Sequence, residues 1–238
     1  MAGETEEGSF GTPGFPPLFF PRPLNNNNTM EAPLHLPPLS DSDAERYRHW
    51  WAALSADWKK AFNQCVFNKG ESTDDPSDEE LHALWHLAVV RFAGSRALYP
   101  NLSFELEDVS GLAELTHLKI VVVAHHRIRS VEPLAALDQL ESLFVFDNQL
   151  KSLAGLENLK NLKQLYFQSN QITSLEPLKG LSGLTEIYAC RNKLTKLDGI
   201  GSQHADTLTL FRILPNDELP QKEIIRMENK IGIRCLQG

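Results

Sequence analysis

Leu162–Leu178 reads LKQLYFQSNQITSLEPL, and the chain writes two close variants of it: LESLFVFDNQLKSLAGL from Leu140 and LTEIYACRNKLTKLDGI from Leu184. The spacing is a constant 22 residues, marked by Asn148, Asn170 and Asn192. An earlier unit in the same register carries Leu118, Val121, Val123, Ile128 and Val131, with His126 where the others have asparagine. The unit is LxxLxxLxxLxLxxNx(I/L)xx(L/V). Phe104, Leu106 and Val109 form a degenerate unit before it, and DTLTLFRILPNDELP after it keeps a strand-like start and loses the rest.

A segment this short cannot close a core alone, so it must stack on its neighbours. The LxL positions alternate and make a short strand with its two apolar residues inward. Successive strands pair in parallel at about 4.8 Å, and the apolar positions after the asparagine turn inward on the return. The asparagine stands where the chain leaves the strand. Its amide both donates and accepts, so Asn148, Asn170 and Asn192 are expected to form a ladder that satisfies the bends. His126 departs from the pattern, and a looser first turn is expected there. The motif LxxLxLxxN resembles the leucine-rich repeat, and the unit length is similar to that of a protein phosphatase regulatory subunit and of bacterial internalins. The resemblance covers about residues 98–214. It implies an α/β fold: a short solenoid with a parallel β-sheet on its concave face.

Outside the repeats, three helices are expected between residues 43 and 94. The first is capped by Ser42 with Glu45, the second by Ser55 with a stop at Gly70, and the third by Ser77 with Glu80 and a stop at Gly94. Leu81, Leu84, Trp85, Ala88 and Phe92 line one face of the third. All four tryptophans fall in this region, which reads as a helical N-terminal cap over one open end of the solenoid. At the other end, Pro220 starts a helix near 217–229, with Ile224, Ile225 and Met227 as cover and IGIRC as a strand. The expected organisation is a disordered Pro/Asn-rich tail at 1–41, the helical cap at 42–97, the solenoid at 98–214 and a C-terminal cap at 215–238. Eight of the 14 prolines lie between Pro13 and Pro38, and FPPLFFPRP within the tail is a candidate docking motif in polyproline II form.

Composition narrows the function. A net charge of −8 argues against nucleic-acid binding, which needs a basic footprint. The longest aliphatic run, Ile120–Ala124, is far short of the roughly 20 residues that span a bilayer. The acidic start MAGETEEG lacks an apolar signal segment. Three scattered cysteines suggest free thiols in a reducing, cytoplasmic setting.

Between the inward leucines, outward residues form columns across the sheet. One is Val122, Phe144, Tyr166, Tyr188; the next is Ala124, Phe146, Gln168, Cys190. They are flanked by His125, Asp147, Ser169, Arg191 and by Ile120, Ser142, Gln164, Glu186. An exposed aromatic strip with polar handles is expected, and interfaces favour such residues. The candidate partner-binding residues are Phe144, Phe146, Tyr166, Gln168, Tyr188, Arg191 and Asp147. Catalytic signals are weak. His82 and His86 share a helical face, but HALWH lacks the glutamate of HExxH. Cys190 stands beside Arg191, which lowers a thiol pKa, but no base accompanies it. No phosphate loop and no calcium spacing occur. The expectation is a non-enzymatic module without cofactor or metal that binds another protein, as a monomer or with weak self-association. A self-assembling structural protein and a metal protein using the cap histidines are the alternatives.

Overall fold

A computed structural model of the chain describes residues 36–238. The tail assigned to 1–41 lies outside them as far as residue 35, and the docking motif with it. The described chain opens with α1 (Asp41–Ala53), α2 (Ala56–Cys65) and α3 (Asp78–Trp85). Seven strands follow: β1 (Val89–Ala93), β2 (Ile120–Ala124), β3 (Ser142–Phe144), β4 (Gln164–Tyr166), β5 (Glu186–Tyr188), β6 (Leu210–Leu214) and β7 (Leu236–Gln237), with α4 (Gln221–Arg226) before the last. They form one sheet in sequence order, and each neighbouring pair is parallel.

The helix caps follow the expected chemistry with shifts at the ends. α1 is capped by Ser40, which accepts from Asp43 N, not by Ser42. Starting there sets Ala44, Tyr47, Trp50 and Trp51 inward and puts Asp41 and Asp43 at the positive helix end. Ser55 caps α2, but the helix ends at Cys65; Asn68 and Gly70 then take left-handed φ of 54° and 67° in the loop. Ser77 and Glu80 form the capping box of α3.

The largest correction concerns the end of α3. The helix stops at Trp85, and Val89–Ala93 is not its continuation to Gly94 but the first strand of the sheet. Helical period and strand alternation both fit the apolar residues here. The pairing of Val90 with Val121 and Phe92 with Val123 decides for the strand, since these β-branched and aromatic residues suit a strand between a cap and a neighbouring coil. The sheet therefore begins inside the stretch 42–97 assigned to helix. The first coil is longer than the later ones, and Asn101 folds its extra loop back by accepting from Ala93 N at 2.7 Å and donating to Arg91 O at 2.7 Å.

The asparagine ladder has the expected form. Asn170 accepts from Leu150 N at 2.9 Å and donates to Val145 O and Phe167 O at 3.0 Å each. Asn148 and Asn192 repeat this one coil away on either side. His126 completes the ladder rather than loosening it: Nδ1 accepts from Leu106 N at 3.1 Å and Nε2 donates to Phe92 O at 3.2 Å. Asn216 adds a rung in the unit that looked lost, donating to Ala189 O at 3.0 Å and accepting from Asn192 N at 2.9 Å.

One apolar cluster runs from Tyr47 of α1 through every coil to Ile233. Trp58 and Phe62 meet Phe92 of β1 edge-on at 5.3 and 5.5 Å, so the tryptophan cluster closes directly on the first coil. At the far end, Met227 and Ile233 are buried while Ile225, expected as cover, is 49% exposed. IGIRC is not a strand; β7 lies just beyond it at Leu236–Gln237. Among the described residues no helix is long and apolar enough to cross a membrane.

Candidate binding face of the sheet

Parallel register aligns the outward residues. Arg91, Val122, Phe144, Tyr166, Tyr188 and Arg212 stand in one column across β1–β6. Phe144 meets Tyr166 edge-on at 4.8 Å, Tyr166 stacks on Tyr188 at 4.2 Å, and the Arg212 guanidinium lies 5.2 Å from the Tyr188 ring centre. Phe146 begins the next row, edge-on to His125 at 5.2 Å.

The rings share one face, as expected, but they are not bare. Phe144, Phe146, Tyr166 and Tyr188 are only 6–8% exposed. Ring-on-ring packing along the column accounts for part of this, because each ring covers the face of the next. Together with Ala124 they form a second apolar cluster on the opposite side of the sheet from the main core. Tyr166 donates its hydroxyl to Glu186 at 2.5 Å. Burial first, and then this carboxylate, push the Tyr166 pKa up, so the hydroxyl stays a donor. Ser142 donates to Gln164 Oε1 at 2.8 Å on the same side.

Arg212 Nε is buried on this face without a partner, and Gln168 is a second such case. It is 6% exposed, and its carboxamide oxygen is buried with no hydrogen-bond partner. Most buried polar atoms are paired, and one left unmet costs roughly 1–3 kcal/mol.

The row at the strand exits consists of His125, Asp147, Ser169 and Arg191, each with a left-handed φ between 52° and 61°. His125 Nδ1 donates to Asp147 Oδ2 at 2.6 Å, and Arg96 Nη1 stands 3.6 Å from the same oxygen. The hydrogen bond from His125 is the main reason that Asp147 sits below the usual carboxylate pKa. Arg191 is exposed at the end of this row. Cys190, considered as a thiol activated by Arg191, is instead pushed up by burial, which outweighs the arginine; its protonated thiol is a poor nucleophile. His82 is buried, with Nε2 donating to Pro37 O at 2.7 Å. The rings of His82 and His86 lie 4.6 Å apart and His117 stacks on His86 at 5.7 Å, but among the described residues no group of three or more side chains is arranged to hold a metal.

Sequence reasoning missed Arg91 and Arg212, which bracket the aromatic column, and Asn216. For Asn216 the signal was present: Phe211, Ile213 and Asn216 keep the LxLxxN spacing, but the rung lies 24 residues beyond Asn192 and falls outside a rigid period.

Coils of this sequence, stacked as one parallel sheet with an asparagine or, after β2, His126 at the strand exits, define a leucine-rich-repeat solenoid. Such proteins typically mediate protein–protein interaction. The leucine-rich-repeat family model matches in two copies, at residues 138–180 and 160–202. A leucine-rich-repeat protein of Leptospira interrogans is similar in structure, with a TM-score of 0.53 and 21% identity over 73% of this chain and 42% of that one. Two internalins of Listeria monocytogenes are also similar. One has a TM-score of 0.48 and 24% identity over 56% of this chain and 37% of its own. The other has a TM-score of 0.43 and 21% identity over 69% of this chain and 90% of its own. A comparison with curated protein sequences finds no match.

Proposed function

We propose that the chain is a non-enzymatic recognition module that binds another protein on the concave face of its sheet. Phe144, Phe146, Tyr166 and Tyr188 supply apolar contact, Gln168 supplies the central polar contact, and Asp147 and Arg191 lie at the rim. The observation that carries this reading is Gln168. Its carboxamide oxygen is buried without a partner, and a partner's N–H that reaches it on binding satisfies it. The three cysteines are free thiols, which suits a reducing compartment such as the cytoplasm.

Gln168→Leu tests the reading without disturbing the ring column. Loss of an unmet polar atom leaves stability unchanged or raised, whereas partner capture by proximity labelling in the native cell falls. Tyr166→Ala with Tyr188→Ala abolishes capture, with folding checked by circular dichroism. Capture that survives both sets of substitutions refutes the concave face as the site.

A further inference from the structure

Two arginines stand at the C-terminal end of the sheet face, and neither has a carboxylate. Arg191 is exposed at the exit of β5, and Arg212 pairs in register with Tyr188. Among the described residues neither forms an ion pair. The carboxylates of the same face are already engaged: Glu186 accepts from Tyr166, and Asp147 accepts from His125 with Arg96 beside it. We propose that the partner of this face is an acidic peptide segment, one carboxylate of which pairs with Arg212 and Arg191 beside Cys190. The pairing rests on the reading of the concave face as a binding site and adds the chemistry of the partner to it.

Arg212 is held in place for such a partner. Its Nη1 donates to Gln237 O, and its guanidinium lies 5.2 Å from the Tyr188 ring centre. These two contacts fix the planar fork, so little side-chain entropy is lost when it pairs. Nε is buried without a partner, while the residue as a whole is half-buried rather than sealed in. A charged donor left unmet costs more than a neutral one, and a carboxylate meets it with a bond about twice as strong as a neutral acceptor gives. Arg191 brings the second charge. Burial raises the Cys190 pKa, and Arg191 and then Arg212 oppose it, so both cations stand close to one side chain. Gln168 follows Tyr166 by the same two residues that separate Cys190 from Tyr188. Its unmet carboxamide oxygen takes a backbone N–H of the same segment. Strands β4 and β6 lie about 10 Å apart at 4.8 Å per step, a span that about three residues of extended chain cover.

Charge decides between kinds of partner. A basic segment sets like charges together across the interface. A neutral one covers the arginines and strips their water without supplying an opposite charge. A nucleic acid meets a chain of net charge −8, the wrong sign for a phosphate backbone. The same net charge repels an acidic segment only from a distance. Screening limits that repulsion to about 10 Å at 0.1 M salt, inside which the two arginines dominate.

The test needs no known partner. A phage-displayed library of random peptides, each about a dozen residues long, is panned against the full chain. The recovered peptides are expected to share one Asp or Glu beside apolar residues. A synthetic copy of the consensus should bind at least about tenfold more weakly when that acid is changed to its amide, and equally so to the Arg191→Gln and Arg212→Gln variants. Arg191 is exposed, so its variant keeps the fold; Arg212→Gln is checked by circular dichroism. Changing the peptide acid and Arg191 together should cost less than the two losses added, as for groups in direct contact. Arg129→Gln, an exposed position outside the strands, should leave binding unchanged and so controls for net charge. Peptides without a shared acid, no recovered peptide, or binding indifferent to both arginines overturns the acidic partner. A dimer seen by light scattering that Arg191→Gln dissociates overturns it in favour of a second copy. The binding-site reading fails separately, through undiminished capture by Gln168→Leu and by the paired tyrosine variant.

Discussion

His126 performs with an imidazole ring what Asn148, Asn170, Asn192 and Asn216 perform with an amide. One nitrogen accepts from the coil before and the other donates to the strand before. This requires the neutral ring, because a protonated one has no acceptor. Burial lowers the His126 pKa to about 4, against the smaller opposing effect of its bond to Phe92 O. The unfolded chain, with a histidine pKa of about 6.5, takes up the proton first. The stability held by this group is therefore complete above pH ~6.5 and is lost as pH falls towards 4, by roughly 3 kcal/mol across the window. Urea denaturation between pH 7.5 and 4.5 should show this slope, and His126→Asn should flatten it. Asn170→Ala removes the partner of Leu150 N, while Val145 O and Phe167 O keep the bonds from Asn148 and Asn192; the expected loss is roughly 1–3 kcal/mol for the buried N–H left unmet, read as a fall in the urea midpoint.

At the scale of elements, the contact between helical cap and first coil is set by Gly111. A Cβ on this residue stands 2.2 Å from Trp58 Cδ2, so only glycine lets the coil approach α2 this closely. Trp58 is pinned there by its Nε1, which donates to Asp108 at 3.0 Å. Gly111→Ala should cost about 1–3 kcal/mol as overpacking, measured by thermal melting, and should shift the tryptophan emission. Strand β1 belongs to the same junction. Its residues carry both an apolar helical period and a strand alternation, and the edge of β2 selects between them.

At the scale of the molecule, cap and solenoid share one core. All four tryptophans report on the cap, whereas the far-ultraviolet strand signal reports on the coils. A continuous apolar cluster from Tyr47 to Ile233 predicts that both signals melt in one coincident transition. Two separate transitions would show that the tryptophan cluster folds as an independent domain.

The sequence by itself determined the solenoid, the parallel sheet, the inward leucines, the three asparagine rungs and the columns that place Phe144, Tyr166 and Tyr188 side by side. These follow from a strict period, because each coil repeats the same local choice and register propagates it. Only the tertiary structure decided what the period cannot carry. Val89–Ala93 is a strand because β2 offers it an edge. His126 and Asn216 are rungs because neighbouring coils present the atoms that they bond. The aromatic strip is shielded rather than bare because exposure belongs to what lies over a side chain, and a repeat encodes only what lies beside it.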